Sequence, residues 1–281
     1  MKRITKIILK IFLFSFSGLF FLSGCTVERK LAKQFVENRQ NTSVLLIPAN
    51  FVYKYNLKTY EVAGESWMDE ATLDSVLYYR SLFVQYVSDS VFLETYMNEL
   101  INGLRKRKLN VYLEPDTDVF FNATGDKYIV NVAQLMMEET VERVFDPEYD
   151  PEYDYIGDIY LNKIVLSSWL EISAVTESKP DKSLVYSDLY MNDYFEGRVR
   201  YFPFTGRMAY TYNIDSIDIN DIYTMAAAAG NRYSGYIFDY FMNRYIERNI
   251  PNADDRILYF RYDLLNRSLK PSSDERFIIL E

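Results

Sequence analysis

Residues 163–174 carry the strongest constraint on the fold. Ile164, Leu166, Ser168, Leu170, Ile172 and Ala174 alternate with Lys163, Val165, Ser167, Trp169, Glu171 and Ser173. Period two puts the first set on one face of a strand and the second on the other, so one face is mostly apolar and its opposite is mixed. A strand of this kind needs neighbours, and the surrounding sequence supplies them. Tyr128 to Val141 is a long extended segment rich in Val, Ile and Met, and Leu184 to Met191 continues the pattern after a Ser178-Lys179-Pro180-Asp181 turn. Val199 to Tyr212 reads as a hairpin turning near Thr205-Gly206. Val44 to Ile47, stopped by Pro48, Phe51 to Val62 and Val111 to Leu113 before Pro115 are further extended pieces.

Helical spacing appears in two longer stretches. From about Asp89 to Lys108, Leu93, Met97, Leu100, Ile101 and Leu104 fall on one face, with Asp89 and Ser90 as cap. From Asp218 to Asn249 the stripe is Ile222, Ala226, Ala229, Tyr233, Ile237, Tyr240 and Phe241, with Asp218 or Asn220 as cap and Pro251 as stop. The small residues Ala226 to Gly230 suit ordinary helix packing and close backbone approach to a sheet. Leu73 to Val87 leans to helix, and Thr26 to Ser43 reads as a tether or short helix. Ile257 to Tyr262 and Phe277 to Leu280 are expected to pair as a closing two-stranded element. The fold class expected is α+β: a single mostly antiparallel or mixed sheet with two main helices packed on one face. Without a long linker or strong repeat, residues 44–281 are expected to form one domain.

Composition sets the limits on chemistry. The 281 residues are 49% apolar and 25% charged, a globular balance, and 26 Tyr with 19 Phe supply bulk for a core. There is no histidine, which removes Ser-His and Cys-His nucleophiles, histidine-ligated metals and histidine pH switching from these residues. The net charge is −9. That sign opposes binding to phosphate backbones and to anionic lipid heads, so no nucleic-acid partner is expected. The basic run Arg105-Lys106-Arg107-Lys108 sits where a helix ends and complements its dipole.

The amino terminus has its own pattern. Lys2, Arg3, Lys6 and Lys10 precede any acid, Ile7 to Leu22 is almost wholly apolar, and Leu22-Ser23-Gly24-Cys25 closes the segment. This is the basic-then-apolar layout of a secretory signal; an uncleaved span is the alternative, for which the run is barely long enough and is interrupted by Lys10. The closing tetrad resembles the lipobox of bacterial lipoproteins. That resemblance implies residues 1–24 as signal peptide, cleavage before Cys25, lipidation of Cys25 and a tether over residues 25–43. Cleavage would remove four of 31 basic residues and no acid, leaving 27 against 40, or −13. Thr26, rather than aspartate, follows Cys25, which by the enterobacterial pattern implies the outer membrane, here with the domain facing the periplasm. The order of elements resembles small α+β envelope lipoproteins, among them the lipopolysaccharide-assembly lipoprotein, the auxiliary lipoproteins of ABC-type lipid transport and the amino-terminal domain of the TolB type. The tyrosine- and aspartate-rich style resembles Bacteroidota lipoproteins. No residue beyond Leu22 to Cys25 carries the likeness, so Cys25 alone takes a role from it.

Candidate chemistry elsewhere is sparse. Asp146 to Asp154 repeats Pro-Glu-Tyr-Asp and could gather carboxylates around calcium, although it lacks the central glycine of an EF-hand loop; a solvated connection is the plainer reading. Asp188, Asp193 and Glu196 invite a paired-carboxylate hydrolase reading, whereas Asp215, Asp218 and Asp221 suit a helix start. No nucleophile elbow, phosphate loop or dinucleotide fingerprint occurs. Tyrosine and phenylalanine cluster at Tyr149, Tyr153 and Tyr155, at Tyr186, Tyr190 and Tyr194, and at Tyr201, Phe202 and Phe204. The expectation is a non-enzymatic accessory or scaffold lipoprotein of an envelope complex, held on the membrane by its lipid anchor, with no cofactor and no metal. A glycan- or lipid-binding lipoprotein using exposed aromatics is the alternative, and a carboxylate-based hydrolase the third.

Overall fold

A computed structural model describes residues 26–58, 70–145, 158–175, 181–250, 258–272 and 278–280. The signal segment with Cys25, the acidic run Asp146 to Asp154 and most of the turn at 178–181 lie outside the described residues. Those described form two compact units, one drawing on residues 26–39, 237–250 and 258–272, the other on the described residues of 40–236 with 278–280.

In the larger unit, β1 (Thr42–Ile47), β2 (Tyr53–Asn56), β3 (Asn110–Tyr112), β4 (Asp126–Phe145), β5 (Asp158–Ala174), β6 (Asp181–Asn192) and β11 (Ile278–Leu280) make a seven-stranded mixed sheet. Its order is β11-β6-β5-β4-β1-β3, with β2 also on β4. The pairs β4–β5, β5–β6 and β6–β11 are antiparallel. β1 pairs parallel with β3 and β4, and β2 parallel with β4. Because β5 occupies one side of β4 along its length, β1 and β2 follow each other along the other side. β1 pairs with Asp126 to Asn131 and β2 with Met136 to Glu139, so the ladder is interrupted between them. Pro48, which has no N–H to donate, stands where the chain leaves the sheet.

A β-bulge lies opposite that interruption. Val132 pairs with Leu170 and Gln134 with Trp169, leaving Ala133 as the extra residue. The buried residues of β4 accordingly change parity, from Tyr128, Val130 and Val132 to Leu135, Met137 and Glu139. Without the bulge, the second set would point to the opposite face. On β5 the expected alternation holds: Ile164, Leu166, Ser168, Leu170, Ile172 and Ala174 are all buried.

Five α-helices occur among the described residues: α1 (Val27–Asn38), α2 (Glu70–Tyr79), α3 (Asp89–Lys106), α4 (Thr117–Asn122) and α5 (Ile219–Asn249). Asp218 caps α5, its carboxylate accepting from the N–H groups of Asn220 and Asp221 while Asp221 accepts from that of Asp218. The buried line of α3 centres on Phe92, Tyr96, Leu100 and Leu104, with Leu93 and Ile101 only half-buried. The ordinary helix packing expected of the Ala226 to Gly230 stretch is made against α3. A Cβ on Gly230 would lie 2.2 Å from the Tyr96 carbonyl oxygen of α3, and one on Gly103 would lie 2.1 Å from Ser234 Oγ of α5. The basic end of α3 is structural: Arg107 Nη1 donates to Gly103 O and to Ser234 Oγ, each at 2.9 Å.

The expectation of a single sheet with two main helices is corrected: five helices and three sheets occur among the described residues, and the strands at two places pair otherwise than expected. β7 (Tyr194–Phe202) and β8 (Arg207–Asp215) form a separate two-stranded hairpin. The two carboxy-terminal strands do not pair with each other. β9 (Phe260–Asp263) pairs with β10 (Ser268–Pro271), whereas β11 joins β6. The short connection favours the local partner on loop-closure entropy. Asp263 fixes it by accepting from Leu265 N, Asn266 N and Asn266 Nδ2 at 2.8–3.1 Å. In the smaller unit, Phe35 of α1 meets Phe238 and Tyr245, with centroids 5.4 and 5.7 Å away, and Phe238 meets Tyr262 at 5.4 Å. Asn243 of α5 exchanges two hydrogen bonds with the backbone of Phe260, at 3.0 and 3.1 Å.

A buried polar chain organises the larger unit. Glu139, 0% exposed, lies on the apolar side of β4. Its Oε1 accepts from Leu82 N at 2.7 Å, its Oε2 from Phe83 N and Val84 N at 2.8 and 3.0 Å, and Lys58 Nζ stands 2.7 Å from Oε1. Lys58 also donates to Asn162 Oδ1 at 2.7 Å, and Asn162 N and Nδ2 donate to Asp193 Oδ2 at 2.8 and 2.6 Å. Asp193 Oδ1 accepts from Ile217 N at 2.9 Å. The stretch after α2, expected to remain helical to Val87, is thus held as a loop by one carboxylate. Glu139→Ala removes that acceptor and leaves Lys58 with no opposite charge at its end of the pair, so equilibrium urea unfolding should report a loss of about 3 kcal/mol or more. A loss under roughly 1 kcal/mol would contradict the structural weight given to the chain.

Candidate functional site

The face of the main sheet opposite Glu139 is mixed in character and partly exposed. The register sets it out in rows across β4, β5 and β6: Gln134, Trp169 and Tyr186; Met136, Ser167 and Asp188; Glu138, Val165 and Tyr190. Trp169 and Tyr186 have centroids 4.8 Å apart, with their planes inclined at 46°. Tyr190 is 62% exposed and carries Lys163 Nζ over its ring at 4.6 Å from the centroid. Lys163 also pairs with Glu142 at 3.0 Å, and Asn192 Nδ2 donates to the same carboxylate oxygen at 2.7 Å. Those two hydrogen bonds hold Glu142 below its ordinary value.

Glu138 behaves in the opposite way. Burial pushes its carboxyl up, and the negative charge of Asp188 adds to the shift. The Tyr186 phenol is raised as well, by burial first and then by its interaction with Asp188, with Ser167 opposing. Two carboxyls, a phenol and an indole therefore share one sheet face.

A cleft of about 430 Å³ borders this face at the interruption between β1 and β2. It is lined by Asn50, Phe51, Tyr53, Glu114, Asn131 and Gln134, among others. Phe51 and Tyr53 meet edge to face at 4.7 Å and are partly exposed. The cleft lies at the carboxyl ends of the parallel strands β1 and β3, where open sheets commonly leave a crevice for ligands. Gln134 belongs both to the cleft and to the row containing Trp169, so the two features are continuous.

The structure separates the sequence-derived carboxylate trio. Asp188 faces Glu138 and Tyr186, Asp193 is buried and engaged by Asn162 and Ile217, and Glu196 pairs with Arg198 in the β7–β8 hairpin at 3.1 Å. Glu138 escaped notice in the sequence because its link to Asp188 runs across two strand registers. Its readable signal was an acid within the long extended segment. Tyr186 and Tyr190 do lie on the partly exposed face, and Tyr201, Phe202 and Phe204 sit on the hairpin. Among the described residues, no group of His, Cys, Asp and Glu is placed to hold a metal ion, and no helix is long and apolar enough to cross a membrane. Cys25 and the acidic run Asp146 to Asp154 lie outside the described residues.

No family model matches the chain, and no curated protein matches it.

The raised Glu138 carboxyl has a linkage consequence. The folded state holds the proton more tightly than the unfolded chain, so stability falls as pH rises from the ordinary value of 4.5 through the raised one. Glu138→Gln mimics the protonated form. In a pH series of urea unfolding it should gain on the wild type as pH rises above the ordinary value of 4.5, with Asp188→Asn giving part of the same gain. Parallel curves for Glu138→Gln and wild type would show that the carboxyl is not shifted.

Proposed function

We propose that the chain is a lipid-anchored, non-enzymatic accessory protein of an envelope complex, lipidated at Cys25 and held on the periplasmic side of the outer membrane. The Leu22 to Cys25 run motivates the anchor. The observation that carries the binding role is the partly exposed face of the main sheet. A face meant only for a core would be apolar, whereas this one places Trp169, Tyr186 and Tyr190 among Gln134, Glu138, Lys163 and Asp188. Aromatic rings supply contact area with few rotatable bonds, and the surrounding charges supply orientation and selectivity. Anchoring confines this face to one membrane surface and raises its effective concentration for a membrane-bound partner.

Glycan binding is the second reading, favoured by the Trp169–Tyr186 pair and the amide-rich cleft beside it. Flat rings suit the C–H faces of sugars, and Asn50, Asn131 and Gln134 offer donors and acceptors to hydroxyl groups. The trio Asp188, Asp193 and Glu196 does not carry a hydrolase reading, because its members have separate partners.

Crosslinking in cells, followed by affinity purification, tests the scaffold reading. Wild type should retain a defined envelope protein that Trp169→Ala with Tyr186→Ala loses, while circular dichroism stays unchanged. An identical set of retained proteins would sink the assignment of this face. Calorimetric titration with oligosaccharides separates the second reading, for which a saturable isotherm abolished by Trp169→Ala is the expected result.

A further inference from the structure

The β7–β8 hairpin is a two-stranded sheet of its own, and its charge runs opposite to that of the chain as a whole. Between Glu196 and Asp215 there is no acidic residue, whereas Arg198, Arg200 and Arg207 all fall there, in a sequence with 40 acids against 31 bases. Its tip is aromatic: Tyr201 is 58% exposed, Phe202 39% and Phe204 101%. The turn Pro203–Gly206 is fixed by Thr205 N and Gly206 N donating to Phe202 O at 3.2 and 2.9 Å, with Gly206 at φ 64° where a side chain would be strained. Phe204 is therefore presented by an ordered turn. Arg200 lies over the Phe202 ring, 5.2 Å from its centroid, and Arg198 meets Glu196 at the hairpin's base.

A fully exposed phenylalanine has no folding benefit, and a basic patch on an acidic protein does not arise from average composition. Together they match the boundary of a bilayer. Aromatic rings partition to the headgroup level, arginine stems lie along the acyl boundary, and guanidinium groups reach lipid phosphates. From this we infer that the tip of the β7–β8 hairpin inserts into the interface of a bilayer containing anionic phospholipid. Phe202 and Phe204 are the apolar wedge, Tyr201 sits at headgroup depth and Arg200, already over the Phe202 ring, supplies the charge complementarity. A bilayer interface supplies in one place the apolar boundary layer that suits Phe204 and the phosphates that suit Arg200. The inference stands apart from the lipidation of Cys25, which only brings a bilayer within reach.

A fluorophore on the introduced thiol of Phe204→Cys reports depth locally, whatever holds the rest of the chain to the vesicle. The full chain carries the label, with Val119→Cys at an exposed position of α4 as the control. In phosphatidylcholine–phosphatidylglycerol vesicles the Phe204 label should shift its emission to the blue and lose quenching by iodide, while the Val119 label stays quenchable. Phosphatidylcholine alone should shield it less. Arg200→Ala should lower the ratio of shielded to open label roughly fivefold in the anionic vesicles and leave it nearly unchanged in neutral ones. Equal iodide quenching at Phe204 with and without vesicles overturns the inference, as does shielding that rises with protein concentration in the absence of lipid. Repeating the measurement with Cys25→Ser, which no acyl chain can modify, reads the hairpin without the anchor, so failure of one reading is distinguishable from failure of the other.

Discussion

A carboxylate with no exposed surface has to be neutralised where it stands, and Glu139 does this by recruiting most of the larger unit. Three successive backbone N–H groups, one ammonium and, through that ammonium, Asn162 and Asp193 all find their partners along one line. Taking two charges out of water opposes folding, and only full hydrogen bonding offsets it. The value of such a chain is specificity: the loop at 82–84, the end of β2 and the junction after β6 have one arrangement that satisfies every member. An apolar residue at position 139 could fill the space but would not say where the loop goes.

That fixed side frees the other. With the core on the face of Leu135, Met137 and Glu139, the opposite face keeps Trp169, Tyr186, Glu138 and Asp188 partly open to solvent. Desolvation is deep enough to raise the Glu138 carboxyl yet not deep enough to demand a salt bridge. The interruption between β1 and β2 then places a cleft against this surface. Core, open face and cleft all follow from where the bulge at Ala133 sits.

Some of this was legible in the residues alone. The alternation of β5 and the cap at Asp218 are local signals, set by side-chain direction and by an Asx oxygen reaching nearby N–H groups, and both held. The parity change in β4 was visible as Val132 followed by Leu135, yet without a partner strand nothing distinguishes a bulge from loose alternation. Asp193 read as a catalytic candidate because a buried structural carboxylate and a functional one look the same in one dimension. The pairing of β11 with β6 and the meeting of Gly230 with Tyr96 are long-range contacts whose specificity lies in three-dimensional fit. Glu138 and Asp188 belong to the same class.

The functional account depends on fatty acids, not peptide, holding the chain to its membrane. The intact mass of the protein extracted from that membrane is the most direct measurement. The account predicts a chain beginning at Cys25 and heavier than its residues by two or three acyl groups. A mass that includes Met1 through Gly24, or an unmodified thiol at Cys25, would contradict it.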